Sequence, residues 1–85
     1  MAYLIDTDGS EKEVLPETGN RFTLDELQKL VGGYVVTVRL NDGYKMYVDE
    51  DGLILRLPYN KRASEMAGQT IVGKALVAYK KEQLK

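Results

Sequence analysis

Three sets of side chains in this 85-residue chain have the types and spacing to do chemistry. The first is acidic: Asp6-Thr7-Asp8-Gly9 and Asp49-Glu50-Asp51-Gly52 each place carboxylates around a glycine. Closely spaced carboxylates can hold calcium or share acid and base roles. A calcium loop needs oxygen ligands at alternating positions and a glutamate six residues after its glycine. Aligning Gly52 leaves Tyr47 at the first ligand position and Pro58 at the last, so the pattern fails. No nucleophile or orienting partner stands beside these acids in the sequence, and both groups read as turns. Asp49, Glu50 and Asp51 remain candidates for contact with a basic partner surface.

The second set is basic and aromatic. On alternating strands, Val35, Thr37, Arg39, Lys45, Tyr47, Ile54 and Arg56 would share one face of a sheet. Rings that stack on bases, with arginine and lysine against phosphates, make a nucleotide platform. One aromatic residue is few for such a surface, so the ordinary reading is preferred: Val35, Tyr47 and Ile54 contact another strand or helix, and the charges keep the sheet soluble. The third set is Tyr59-Asn60-Lys61-Arg62 at a helix start. Unpaired N–H groups there attract anions and two cations stand beside them, but no glycine-rich phosphate cradle accompanies them. Asn60 as an ordinary helix cap is the simpler reading. The ligand-binding candidates are thus Arg39, Lys45, Arg56, Tyr59, Asn60, Lys61 and Arg62.

Composition narrows the chemistry. The chain contains no cysteine and no histidine. That removes thiolate nucleophiles, disulfides, the commonest zinc ligands and the usual neutral-pH base. No catalytic residue, metal or cofactor is expected. The net charge is −1, yet the first 53 residues carry eleven acids and five bases and the remainder seven bases and two acids. The first residues lack the cationic start and apolar run of an export signal, and no stretch is long enough to span a membrane. A reducing cytoplasm is the expected setting.

The elements that must position these groups follow from periodicity. Residues 2–6 and 12–15 form a hairpin around Asp8-Gly9, and Gly19-Asn20 reads as a turn. Thr23-Leu24-Asp25-Glu26 is a capping box, Phe22 and Leu27 form a staple, and Leu24, Leu27, Leu30 and Val31 form an apolar stripe. Gly32-Gly33 ends the helix, with positive φ expected at Gly33 and also at Gly43 in the next turn. Residues 34–40 and 44–50 alternate around Asn41-Asp42-Gly43, pairing Val38 with Met46 and Val36 with Val48. An Asp51-Gly52 turn would bring residues 53–57 back as a third strand, with Leu53, Leu55 and Leu57 on the dry face. Asn60 caps a short second helix carrying Ala63, Met66 and Ala67. Residues 71–79 form a closing strand with Gly73 as a bulge or close approach, and residues 80–85 form a tail that frays. The expectation is one α+β domain over residues 1–85. Its order is ββ-α-βββ-α-β, an antiparallel or mixed sheet with a three-stranded meander and two short helices on one face.

Val31-Gly32-Gly33-Tyr34, the segment Asn60-Lys61-Arg62-Ala63-Ser64 and the closing Ile71-Val72-Gly73-Lys74-Ala75-Leu76-Val77 together resemble a family of unknown function from phages, prophages and other mobile elements. The resemblance runs from about Phe22 to Val77 and brings no established biochemistry. It implies a small non-enzymatic accessory protein, most simply an anti-defence inhibitor that occupies a surface of a host protein such as a CRISPR-Cas nuclease or a signalling protein. The partner-contact candidates are Asp49, Glu50, Asp51, Val35, Tyr47 and Ile54, with Tyr3 and Tyr59 next. The rival is a nucleotide or oligonucleotide binder, and a structural or regulatory phage role is the third. Nucleic acid is not the favoured partner, no membrane contact is expected, and pairing of two copies through a sheet edge is allowed.

Overall fold

A strand that reads Ala-Leu-Val-Ala is apolar on both sides and is stable only where both sides are covered. In the computed structural model, which describes residues 2–17, 19 and 21–79, that strand lies at the centre of a five-stranded antiparallel sheet. Along the chain the elements are β1 (Ala2–Ile5), β2 (Glu11–Val14), α1 (Leu24–Val31), β3 (Val35–Arg39), a 3₁₀ turn at Asn41–Gly43, β4 (Lys45–Asp49), α2 (Lys61–Ala67) and β5 (Ala75–Ala78). Across the sheet the order is β2-β1-β5-β4-β3. The α+β class, the antiparallel sheet and the two short helices are as expected. Asn20 and residues 80–85, read as part of a turn and as a frayed tail, lie outside the described residues.

Local chemistry explains the well-read elements. Thr23 caps α1: the Glu26 N–H donates to Thr23 Oγ1 at 3.2 Å and the Thr23 N–H donates to Glu26 Oε1 at 3.0 Å. Gly32 ends the helix in the left-handed region, its N–H donating to Gln28 O. The β3–β4 hairpin has the expected register, Val36 opposite Val48, Thr37 opposite Tyr47 and Val38 opposite Met46. Gly43 closes its turn with φ of 82°.

Five expectations are corrected. The third meander strand over residues 53–57 does not form. β4 is flanked by β3 on one side and β5 on the other, so a returning strand has no free edge to pair with. Residues 50–57 instead coil in successive turns, with the Leu55 N–H donating to Asp51 O at 2.9 Å and the Leu57 N–H to Gly52 O at 3.0 Å. The closing strand is shorter than residues 71–79, because Gly73 at φ 75° breaks the ladder and leaves Val72 in an isolated bridge to Tyr59.

The helices cover opposite faces of the sheet, not one. Phe22, Leu27 and Val31 pack on Ala2, Tyr47, Leu76 and Ala78, whereas Ala63 and Ile71 pack on Ile5, Met46, Val48, Ala75 and Val77. Burying both sides of β5 requires this. Leu24 drops out of the α1 stripe and is half exposed. Finally, Gly33 has no positive φ; a Cβ there would lie 2.7 Å from Asp49 Oδ2, so its requirement is closeness of approach.

Candidate interaction surface

Residues 50–57 follow β4 as an ordered protrusion. Asp49 Oδ1 accepts from the Asp51 N–H at 2.8 Å, starting the turn, and the Arg56 N–H donates to Leu53 O. The far end is held by Leu57, whose Cδ1 would touch a Cβ built on Gly52 and would lie 2.7 Å from one on Gly73. Two glycines thus form a notch for one leucine side chain. Arg56 adopts φ 56°, the sole positive φ on a non-glycine among the described residues. Such backbone persists where its surroundings hold it.

On this anchored turn three consecutive aliphatic side chains stand in solvent: Leu53 is 75% exposed, Ile54 81% and Leu55 59%. Alternation assigned Leu53 and Leu55 to the interior; the turn exposes all three. On either side of the ridge lies a groove. One, of about 480 Å³, lies between Leu53 and the outer strand β3, with Val36, Val38, Val72, Arg39 and Glu50 among its walls. The other, of about 340 Å³, lies between Leu55 and the end of α1, with Asp6, Lys29 and Lys74 among its walls. Exposed Glu50 and Tyr34 flank the ridge where the Glu50 N–H donates to Tyr34 O.

The anticipated site residues separate. Ile54, Glu50 and Asp51 belong to this protrusion. Asp49 does not sit on the surface: it is buried against Gly33, and its role is to start the turn. Tyr47, 2% exposed, lies beneath α1 with Leu27 and Leu76, and Val35 packs on the same cluster. The aromatic member of the proposed platform is therefore core, which leaves Arg39 and Lys45 as a cross-strand pair of cations at one end of the hairpin. Asn60 is fully buried, with every polar atom engaged. Its Nδ2 donates to Ile5 O and Gly73 O at 3.0 and 2.8 Å, and its Oδ1 accepts from the Ala63 N–H. Beside it the Ile71 N–H donates to Ser64 Oγ at 2.7 Å. The Asn60-to-Ser64 segment is thus a polar lock between α2, β1 and the approach to β5. Arg62 pairs with Glu11 at 3.5 Å, Lys61 is exposed, Tyr59 is half exposed beside Val72, and Arg56 sits on the turn. These cations do not converge. Tyr3 is part-buried in β1.

Among the described residues, three ionisable groups are shifted from their ordinary values, and each shift has a local structural cause. The Asp25 carboxylate, hydrogen-bonding and paired with Lys29 at 3.1 Å, raises the Lys29 ammonium above its ordinary value, the reverse of what a lysine nucleophile needs. Backbone N–H donors from Glu17 and Thr23 hold Glu26 below the usual glutamate value, and Ser10 does the same for Asp8. Both shifts belong to a cap and a turn. Among the described residues no three acidic side chains gather as metal ligands, and no helix is long and apolar enough to cross a membrane.

Residues 1–84 match the model of a domain of unknown function (DUF3846), and the chain belongs to that family. No curated protein and no solved structure matches it.

Proposed function

We propose that this DUF3846 domain works by binding a partner protein, with the Leu53-Ile54-Leu55 ridge as its anchor. One observation carries the reading: three consecutive aliphatic side chains are held in solvent by a hydrogen-bonded turn. Burying each such side chain is worth about 1.5–3 kcal/mol, and leaving three exposed is a standing cost that a partner relieves. Glu50 and Asp51 supply an acidic rim that steers toward a basic surface. The resemblance to phage and mobile-element proteins makes that partner a host protein, such as a defence nuclease or signalling protein in the bacterial cytoplasm, which the domain inhibits by occupying its surface.

The test is a plaque assay on hosts carrying single defence systems, backed by a purified nuclease where one responds. The native chain should restore plaquing in at least one host. The Leu53→Ser, Ile54→Ser, Leu55→Ser variant should fail to do so while keeping the native circular dichroism spectrum. Full activity in that variant removes the ridge from the mechanism. A raised Tm with a nucleotide or cyclic oligonucleotide, undiminished in the ridge variant, would favour the ligand-binding rival.

A further inference from the structure

The two outer strands of the sheet are built differently. β2 reads Glu-Lys-Glu-Val, and three charges in four residues are a common device against edge-to-edge pairing. β3 reads Val-Val-Thr-Val-Arg: five residues, four of them β-branched, with no proline, bulge or inward charge. The ladder fixes which of its backbone groups are open. The Glu50 N–H donates to Tyr34 O and the Leu40 N–H to Tyr44 O, so even-numbered residues of this strand bond to β4. By the alternation of an antiparallel pair, the N–H and C=O groups of Val35, Thr37 and Arg39 point away from β4 to the open edge.

We propose that β3 pairs with β3 of a second copy, antiparallel about a two-fold axis at Thr37, joining two five-stranded sheets into one of ten strands. The sequence is self-complementary in this register. Thr37 faces Thr37 of the partner subunit, Val35 faces the partner's Arg39, and on the α2 side Val36, 45% exposed, meets the partner's Val38. Three outward pairs bring about six backbone hydrogen bonds. Charge agrees with the same register. The acidic end of the hairpin carries Glu50 and Asp51, the other end Arg39 and Lys45. Antiparallel pairing sets each basic strand end beside the other copy's acidic end, whereas parallel pairing would set like ends together. Thr37 itself is exposed, so α1 leaves the axis position open. This inference stands apart from the ridge, which is tested by activity.

The experiment is sedimentation equilibrium of the native chain and of Thr37→Lys from micromolar to millimolar concentration, with amide hydrogen exchange on the native chain. The native protein should reach twice the 9.6 kDa chain mass. Thr37→Lys places like charges face to face on the axis and should raise the dimer Kd by about tenfold or more with the monomer's dichroism unchanged. The amides of Val35, Thr37 and Arg39 should become protected as concentration rises. A native chain that stays at one chain mass throughout overturns the proposal and leaves β3 open to an extended segment of another protein. A dimer that forms equally well in Thr37→Lys overturns it too, as it places the seam elsewhere. Should Thr37→Lys fail to fold, exchange on the native chain decides: fast exchange of those three amides at dimer concentrations overturns the pairing.

Discussion

Asn60 shows how a residue that resembles a ligand group can be structural. Truncating it to alanine strips donors from Ile5 O and Gly73 O and the acceptor from the Ala63 N–H, all in a dry interior. Asn60→Ala should cost about 3 kcal/mol or more in a urea melt. Arg62→Ala, which loses only a solvent-exposed pair with Glu11, should change stability by under about 1 kcal/mol. The cap at Thr23 predicts a loss of about 1 kcal/mol for Thr23→Ala, measurable as a lower denaturation midpoint. Glu26 adds a pH dependence of known sign. Its folded pKa lies below its unfolded value because Glu17 and Thr23 N–H groups bond the charged form. Its contribution is therefore present above the ordinary glutamate value, about 4.3, and is lost as pH falls through the folded pKa. Glu26→Gln should be less stable than the native chain at pH 7 and flatter in stability across the acid range, as thermal melts at stepped pH would record.

At the scale of elements, β5 is the member on which the rest depends. It pairs with β1 and β4 and contributes to the cores on both faces, so it joins the first hairpin to the second. A chain ending at residue 70 should lose cooperative unfolding, whereas a removed edge strand would cost one ladder. The protrusion after β4 depends on backbone geometry. Arg56 sits at φ 56°, where a β-branched side chain is strained. Arg56→Val should lower stability by about 1–3 kcal/mol and loosen the ridge, seen as faster exchange at the Leu55 and Leu57 amides, whereas Arg56→Gly should retain both bonds.

For the whole molecule, the distribution of exposed charge separates two modes of action. If the acidic rim meets a basic groove on a defence protein, Glu50→Lys with Asp51→Lys should weaken inhibition mainly by slowing association, most visibly at low salt. Replacing Arg39, Arg56 and Arg62 by alanine should then have little effect, since the fold holds these three cations on separate elements. Asp49 is left out of the acidic set because it is buried against Gly33, and altering it would perturb the fold as well as the charge.

The sequence by itself determined the local features whose causes lie within a few residues. The capping box at Thr23 and Glu26, the glycine that closes the turn at Gly43, the Val36–Val48 and Val38–Met46 register and the Asn60 cap all follow from near-neighbour hydrogen bonds and side-chain alternation. It also limited the chemistry, since a chain without cysteine or histidine offers few catalysts. Only the tertiary structure decided what was next to what across the sheet. Alternation cannot say which strand claims the open side of β4. Residues 53–57 and β5 both read as apolar strands, and β5 took the place because it is apolar on both faces and both faces had helices to cover them. That competition expelled Leu53, Ile54 and Leu55 into solvent, placed Tyr47 under α1 and left β3 as an outer edge. Glu50, Asp51 and Ile54 were legible as candidates, but the exposure of Leu53 and Leu55 and the open edge of β3 were not, because these are segments that long-range pairing left without partners.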